Sequence, residues 1–537
     1  MRQATASIMR RALERERHVE RIVPPRIVTL QAPVGGLNGR DALDDMKPED
    51  AVQLVNWFPG FGKVEVRGGS ADWGQLGATV EEVFTAATAT VETLVAFKRE
   101  SEVLMVAACG GALYDATAGG ELGTALDDGF TNNRWQHAVM NDSLGLVNGA
   151  DAPQVYDGSS LTAMTLDEAD GESATLTPAD LIGINVYKSR SYFWDGTAGF
   201  WYSAVNALGG DLEYFPLGDV GGAGGHLTVM ITWSRDGGEG MDDLAVFIMS
   251  SGDVLVYAGS DPGEANDWSL VGVFKIGSPV GIRAVSKLGG DALIATADGY
   301  TLLSQALPGI RGARGINVSD KLGKFALDQV QQSGTSFGWQ IVHWPRGRRV
   351  LVNFPSHDHF EQHVVNLATG AWTLFQGLEA SCWAVWNDRL FFGTVNGEIV
   401  EAETGTSDRG VNILAIGQQA FSELRVPGRI KSVKMVRPLI EASSEVRIEV
   451  DLYADYSPQS TGAVAADLGL AGDEGGEWYD AEWYDAFWAG PTITVPGWIG
   501  HAARGYAISP AVSTAQRLDR IAWAGTLISY TVERGWV

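Results

Sequence analysis

The feature that most constrains how this chain can fold is a long series of short apolar segments between residues 64 and 408, each bounded by turn residues. The segments are rich in Val, Ile, Phe, Tyr and Trp, as in residues 93–108 and 382–403. Three intervening turns carry strong hairpin signals, namely Ser251-Gly252-Asp253, Asp298-Gly299 and Asn396-Gly397. Such a series predicts an all-β chain built from consecutive hairpins.

The spacing of the segments favours a β-propeller. About seven groups share this region, with roughly 49 residues per group, slightly more than the 40–45 of a common four-stranded blade. We therefore expect an irregular propeller of about six to eight blades at residues 64–408. A pair of β-sandwiches gives similar local patterns and remains the alternative. Alternation resumes after residue 408 and predicts a C-terminal β-sandwich-like domain or tip at residues 409–537.

Two further segments precede the hairpins. Residues 1–28 form an arm rich in Arg and Glu, which we expect to be helical up to Pro24-Pro25 or to become ordered on binding. Residues 29–63 form a leader in which Lys47-Pro48-Glu49-Asp50 predicts the start of a short helix, because proline and acids favour a helix N-terminus. The leader is too short to fold alone, so we expect it to dock on the first blade and on a neighbouring ring or subunit.

The charge of the chain limits its partners. Sixty-six acids against 39 bases give a formal net charge of -27, and the acids concentrate in residues 121–180 and 441–490. The negative electrostatic field of such a chain repels polyanions, so we do not expect its surface to bind the phosphates of nucleic acid. The acidic surface serves either solubility or the passage of nucleic acid without sticking.

Cellular location and redox state can also be predicted. The sequence has no apolar run of the about 18 residues that a membrane span requires, and no apolar segment typical of a secretion signal follows the basic N-terminus. We therefore expect no membrane span and synthesis in the cytoplasm. Cys109 and Cys382 lie in apolar strand-like segments, which predicts two buried thiols rather than a disulfide.

Candidate chemical sites are few. Four histidines lie close in sequence, at His343, His357, His359 and His363. Two imidazoles and a carboxylate can bind a metal, but a surface hairpin tip explains this segment better. Three arginines, Arg346, Arg348 and Arg349, can bind phosphate, although a solvated turn or salt bridges are favoured. Without a distinctive acid pair, a nucleotide-binding glycine motif or a nucleophile elbow, we expect no enzyme, no catalytic residue, no cofactor and no metal.

An aromatic repeat near the C-terminus is the remaining distinctive segment. WYDAE-WYDAF contributes six aromatic residues: Trp478, Tyr479, Trp483, Tyr484, Phe487 and Trp488. As a strand pair, the repeat can pack one tryptophan of each unit into a core. Alternatively, it forms an exposed aromatic platform at a tip or a subunit interface, where Trp and Tyr are common anchors.

The leader resembles a known family. It contains a GGLN-x-RD turn at residues 35–41, a Met-x-Pro-x-(Glu/Asp)-Ala-x-x-Leu-x-Asn-(Trp/Phe)-Phe-Pro segment at residues 46–59, and a strand at residues 64–68. These motifs are similar to the N-terminal region of tail nozzle proteins of short-tailed bacteriophages (podoviruses), also called tail hub, tail tubular or packaged-DNA stabilisation proteins. The aromatic repeat is similar to tandem tryptophan repeats near the C-terminus of several such proteins.

The resemblance implies a structural virion protein of the tail, assembled in the host cytoplasm. Nozzle proteins form a hexameric tube below the portal and adaptor rings, retain the packaged genome and conduct it on ejection. The implied partners are further copies of the chain, the adaptor ring, tail fibres or tailspikes, and double-stranded DNA that passes through an acidic lumen without specific binding. Six leader residues are candidates for docking and assembly: Leu37, Asn38, Arg40, Leu54, Trp57 and Phe58. A propeller that binds glycans or acts as a glycosidase remains the alternative function.

Overall fold

A computed structural model describes residues 24–76, 89–218, 224–236, 241–306, 319–442, 446–468, 493–494, 497–517 and 520–533. Strands dominate these residues. The described helices are a 3-10 turn at Pro178–Asp180, α1 (Leu303–Ala306) and α2 (Lys324–Ser333). None of them is long and apolar enough to cross a membrane.

The leader and the residues that flank it fold into strands. They are β1 (Arg26–Gln31), β2 (Gly36–Leu37), β3 (Asp50–Val55), β4 (Trp57–Pro59), β5 (Val64–Val66) and β6 (Ser70–Leu76). The helix predicted after Lys47 is therefore wrong. Ala51 and Leu54 of β3 are fully buried, and β3 pairs with strands on both of its sides. A helix would lose both ladders, so this pairing overrides the local helix signal.

Seven four- or three-stranded groups follow, each forming one blade. The first has β7 (Val91–Arg99), β8 (Glu102–Cys109), β9 (Ala112–Asp115) and β11 (Asp127–Asp128). The short β10 (Gly120–Leu122), between β9 and β11 in the chain, pairs instead with β6. The second has β12 (Gln136–Met140), β13 (Ser143–Val147), β14 (Gln154–Tyr156) and β15 (Leu161–Ala163). After β16 (Leu166–Glu168), the third has β17 (Gly183–Tyr187), β18 (Arg190–Trp194), β19 (Gly199–Tyr202) and β20 (Gly210–Pro216).

The remaining blades repeat the pattern. The fourth has β21 (Leu227–Asp236), β22 (Met241–Met249), β23 (Asp253–Ala258) and β24 (Ser269–Lys275), and the fifth has β25 (Val285–Leu288), β26 (Asp291–Thr296) and β27 (Gly299–Leu302). The sixth has β28 (Gln340–Trp344), β29 (Arg349–Ser356), β30 (His359–Asn366) and β31 (Trp372–Phe375). The seventh has β32 (Cys382–Trp386), β33 (Arg389–Gly393) and β34 (Glu398–Ala402).

The blades close into a ring. β6 pairs antiparallel with β34, so a strand that follows the leader completes the seventh blade. Apolar cores separate consecutive blades, including one between the seventh and first blades around Val91 and Phe391 and one between the third and fourth around Phe200, whose ring stacks 4.6 Å from that of Phe247. The predicted all-β propeller is confirmed, and the described residues form seven blades. The predicted hairpin turns are present, with positive φ at Gly252, Gly299 and Gly397.

A β-sandwich lies beside the propeller. Its C-terminal strands are β35 (Ile413–Gln419), β36 (Lys431–Glu441), β37 (Val446–Ala454), β38 (Val464–Leu468), β39 (Ile493–Thr494), β40 (Ile499–Gly505), β41 (Ile508–Gln516) and β42 (Ala522–Val532). One sheet joins β1, β4 and β5 to β42, β36, β39 and β40. The other joins β2 and β3 to β35, β41, β37 and β38.

The leader and the C-terminal segment, which we expected to be separate units, therefore share both sheets of one domain. β1 pairs with β42 over six residues, and β3 pairs with β35. β3 also joins β31 through the pair Val55 and Leu374, which makes the second sheet continuous with the sixth blade. The leader thus docks on the C-terminal strands and the sixth blade, not on the first blade.

Candidate assembly site at the junction of propeller and sandwich

The first leader motif forms a tight loop against the sixth blade. Gly36 has a φ of +79°, and a Cβ there would lie 2.6 Å from the carbonyl oxygen of Trp372. Only glycine meets both conditions without strain. Leu37, the next residue, is buried in the apolar core that the sandwich shares with the fifth and sixth blades. The glycine pair of the motif therefore sets how closely the leader approaches the propeller.

Asn38 organises the polar side of this loop. Its side-chain oxygen accepts hydrogen bonds from the backbone of Arg40 and Asp41, and its Nδ2 donates to Asp50 Oδ2 at 2.8 Å. Lys321 Nζ lies 2.8 Å from Asp50 Oδ1 and thereby ties the loop to the segment before α2. Hydrogen bonds from Arg40 and then Asn38 lower the pKa of Asp41 to about 2. The motif residues Asn38 and Asp41 thus hold a charged loop in one conformation.

The end of the leader carries a buried polar network. Asn56 has a φ of 57° and donates to the carbonyl oxygens of Gln376 and Leu414, which lie next to the sixth blade and in β35 respectively. Arg67 has a fully buried side chain, and its guanidinium donates to Asn56, Gln376 and both carboxylate oxygens of Asp408. One arginine therefore links the leader, the sixth blade and the start of the C-terminal segment.

An open cleft lies beside this network. It has a volume of about 490 Å³ and is lined by residues of both domains, among them Phe58, Lys63, Arg349, Glu403 and Arg520. The Arg349 guanidinium lies 3.9 Å from the centre of the Phe58 ring and 2.7 Å from the carboxylate of Glu403. The cleft thus has charges of both signs, and a cation–π contact crosses between the domains.

The hairpin between β4 and β5 ends in an exposed aromatic residue. Phe61 is 77% exposed, and its neighbours in the turn are Gly60 and Gly62. The turn is held in place because Asn366 Nδ2 donates to the carbonyl oxygen of Pro59 at 2.8 Å. An aromatic side chain presented to solvent on a fixed turn is typical of a contact point for another molecule.

The six predicted docking residues lie mostly inside the chain. Leu37, Leu54, Trp57 and Asn38 are buried, Phe58 is half-buried in the cleft, and only Arg40 is exposed. The six aromatic residues of the C-terminal repeat lie outside the described residues. Asn56, Arg67 and Phe61 were missing from the predicted set. Asn56 and Arg67 both lie within the sequence motifs. Each is a polar residue next to apolar ones, and this pattern could have indicated a buried polar contact.

The predicted histidine cluster does not assemble. His363 is buried, with Nδ1 2.8 Å from the Tyr300 hydroxyl and its ring 4.6 Å from that of Phe354. His357 and His359 lie at the exposed β29–β30 turn, and His343 lies half-buried in β28. Among the described residues, no three His, Cys, Asp or Glu side chains are placed to hold a metal. Of the three neighbouring arginines, Arg349 lines the cleft and the other two lie in the preceding turn.

Protonation of His363 is expected to destabilise the protein in acid. Burial lowers its pKa from 6.5 to about 3, so stability is complete above the unfolded-state pKa and falls as the pH falls towards the folded-state value. Between pH 7 and 5 this group should cost about 2 kcal/mol. Denaturant unfolding at both pH values should show this loss in the wild type and a smaller one in His363→Asn. His357→Asn, at the exposed turn, is the control and should keep the wild-type dependence.

Both cysteines are free and buried, as predicted. Burial raises the pKa of Cys109 to about 12 and that of Cys382 to about 11. Neither thiol is therefore a thiolate at neutral pH.

Comparisons with known proteins give no family. No family model and no curated protein matches the chain. Among solved structures, a chain of BBS1N in complex with ARL6DN matches at 10% identity and a TM-score of 0.38, covering 64% of this chain and 100% of that one. The Cps50 (Swd1) β-propeller domain of Myceliophteria thermophila matches at 11% identity and 0.36, covering 59% and 99%. YCF48 from Cyanidioschyzon merolae matches at 10% and 0.34, covering 62% and 99%. Such low scores carry no argument about this chain.

Proposed function

We propose that this protein is the tail nozzle subunit of a short-tailed bacteriophage. It is a non-enzymatic structural protein of the virion tail that assembles with copies of itself, as a hexamer, into a tube below the portal and adaptor. The tube retains packaged DNA, conducts it on ejection and carries tail fibres or tailspikes.

The observation that carries the proposal is where the leader motifs lie in the fold. Gly36 of the first motif, Asn56 of the second and Arg67 of the third contact residues at the sixth blade directly. Asn38 of the first motif holds Asp50, which pairs with Lys321 of the segment before α2. A motif that lies only on the surface gives little information about the fold of the rest of the chain. Because these motifs determine how two domains are joined, sharing them supports sharing the whole two-domain architecture.

The charge supports the same function. A conduit must let DNA move without holding it, and a chain with a net charge of -27 offers few cations for phosphate contacts. We expect no measurable affinity for duplex DNA by fluorescence anisotropy at about 0.15 M salt. Tight, salt-sensitive DNA binding would count against the conduit.

The decisive experiment is assembly on an adaptor. The full chain should be expressed with a phage head–tail adaptor encoded beside it, and the complexes examined by light scattering and negative-stain microscopy. We expect rings or short tubes of six copies on the adaptor. A protein that ignores the adaptor, stays monomeric and cleaves or binds glycans would overturn the proposal in favour of the glycan-directed alternative.

Truncation should separate the arm from the leader. A deletion of residues 1–45 would remove the arm together with the first part of the leader. The structure changes this design, because that deletion also removes β1 and β2 from the sandwich. Deleting residues 1–23 leaves every described strand in place, so loss of adaptor binding in that variant would assign attachment to the arm.

A further inference from the structure

One arginine crosses the central channel of the propeller. Arg283 lies just before β25 of the fifth blade, yet its guanidinium donates to the carbonyl oxygen of Glu92 at 2.6 Å and to Thr93 Oγ1 at 2.7 Å in the first blade. It also donates to the carbonyl oxygen of Trp135, just before the second blade, at 2.8 Å. The fifth blade neighbours neither of these blades, so the side chain reaches across the channel at the end where the innermost strands begin.

A second arginine converges on the same place. The Arg134 guanidinium lies 4.4 Å from the centre of the Phe337 ring, and that of Arg283 lies 5.7 Å from the same ring. Burial lowers the pKa of Arg283, and the positive charge of Arg134 acts in the same direction. Glu92 pairs with Arg134 at 3.0 Å and is the one carboxylate that faces both guanidiniums within the described residues. Two like charges therefore meet here with one acid between them.

His137 completes this channel mouth. It lies on the innermost strand of the second blade with its side chain open to solvent, and the surrounding protein followed by the charge of Arg283 lowers its pKa. Its imidazole is thus neutral at pH 7 and makes no hydrogen bond within the described part of the chain. A neutral imidazole can donate one hydrogen bond to an anion.

The cationic character continues along the channel wall. Lys287, on the innermost strand of the fifth blade, contacts Thr232 Oγ1 of the fourth blade, and His343 of the sixth blade hydrogen bonds to its backbone. No carboxylate lies within ion-pair distance of its amine among the described residues, and Asp243 is the acid whose charge acts on it. Cations therefore outnumber acids here: Arg134, Arg283 and Lys287 are near only Glu92 and Asp243 among the described residues. In the chain as a whole, acids outnumber bases.

Converging, partly desolvated cations are costly unless an anion compensates them. We propose that the mouth of the propeller channel binds a small oxyanion, a phosphate or sulfate group, held by Arg134, Arg283 and His137. Guanidinium groups bind such groups through paired N–H donors, and Arg134 and Arg283 both lie against the ring of Phe337. This site is independent of the proposed tail function.

The test uses the full chain with sodium phosphate and sodium sulfate as probes. Isothermal titration calorimetry at constant ionic strength should show saturable binding, and both salts should raise the midpoint of thermal unfolding more than sodium chloride does. Arg134→Met should weaken binding at least about tenfold, because it removes one of the two guanidiniums from an exposed position. Arg504→Met, at an exposed ion pair far along the chain, is the matched control and should bind as the wild type does.

Several results would overturn the proposal. One is the absence of heat and of a thermal shift with both anions, and another is unchanged affinity in Arg134→Met. His137→Phe gives a second variant that removes a donor without touching the arginines, and it should also weaken binding. Titration with glycerol phosphate distinguishes the source: tighter binding than inorganic phosphate indicates a phosphorylated ligand, and equal or weaker binding indicates the free anion.

Discussion

Replacing Arg67 by methionine is expected to lower the free energy of unfolding by about 3–5 kcal/mol. The side chain is fully buried, and its loss leaves Asp408 with an uncompensated negative charge that is largely buried. It also removes the hydrogen bonds to Asn56 and to the carbonyl oxygen of Gln376. Because these partners come from the leader and the sixth blade, the loss should loosen the junction before it unfolds the blades.

Arg504→Met provides the matched control. Arg504 also makes a two-pronged ion pair, with Glu533 at 2.7 Å, but its side chain is 65% exposed. Exposed pairs of this kind contribute little to stability, because water screens both charges. Denaturant unfolding followed by tryptophan fluorescence should separate the two variants clearly. Equal, small effects would mean that the buried network does not hold the junction together.

The propeller could be predicted from sequence because its pattern is local. Each blade is a set of consecutive hairpins, so the alternation of apolar residues and the glycine turns at Gly252, Gly299 and Gly397 lie within short windows. The number of blades depends on pairing over long distances. β6, which follows the leader, completes the seventh blade with β34 more than 300 residues later, and no local sequence pattern indicates that pairing.

The leader shows the opposite case. Pro48, Glu49 and Asp50 have the preferences of a helix start, yet Asp50–Val55 is a strand. Its conformation is decided by β35, which follows it by more than 350 residues, and by the edge of the sixth blade. Local propensity is a weak prior when both ladders of a strand are supplied by distant partners.

The same reasoning explains the predicted docking face. Leu54, Trp57 and Phe58 were expected to bind another ring or subunit as well as the chain itself. An apolar face looks alike in sequence whether it is covered by a distant part of the same chain or by another protein. Here the C-terminal strands and the sixth blade cover it, whereas Phe61 at the turn stays exposed for an outside contact.

Trp57→Ala is accordingly expected to be a folding mutation with a cost of about 3–5 kcal/mol. The Trp57 ring is fully buried, 6.0 Å from that of Trp523, between the two sheets of the sandwich. Its indole nitrogen has no hydrogen-bond partner among the residues that the structure describes. Trp57→Phe should therefore cost much less, because it keeps most of the apolar volume and breaks no hydrogen bond.

Phe61→Ser separates folding from assembly. Because the ring is 77% exposed, this change should alter the free energy of unfolding by no more than about 0.5 kcal/mol. If Phe61 is a contact point in the tail, the folded variant should nevertheless bind the adaptor or its own copies less tightly than the wild type, as measured by light scattering of the complexes. A Trp57→Ala protein that unfolds like the wild type but fails to assemble would reverse these roles, since it would place the docking face at Trp57, where the sequence alone had suggested it.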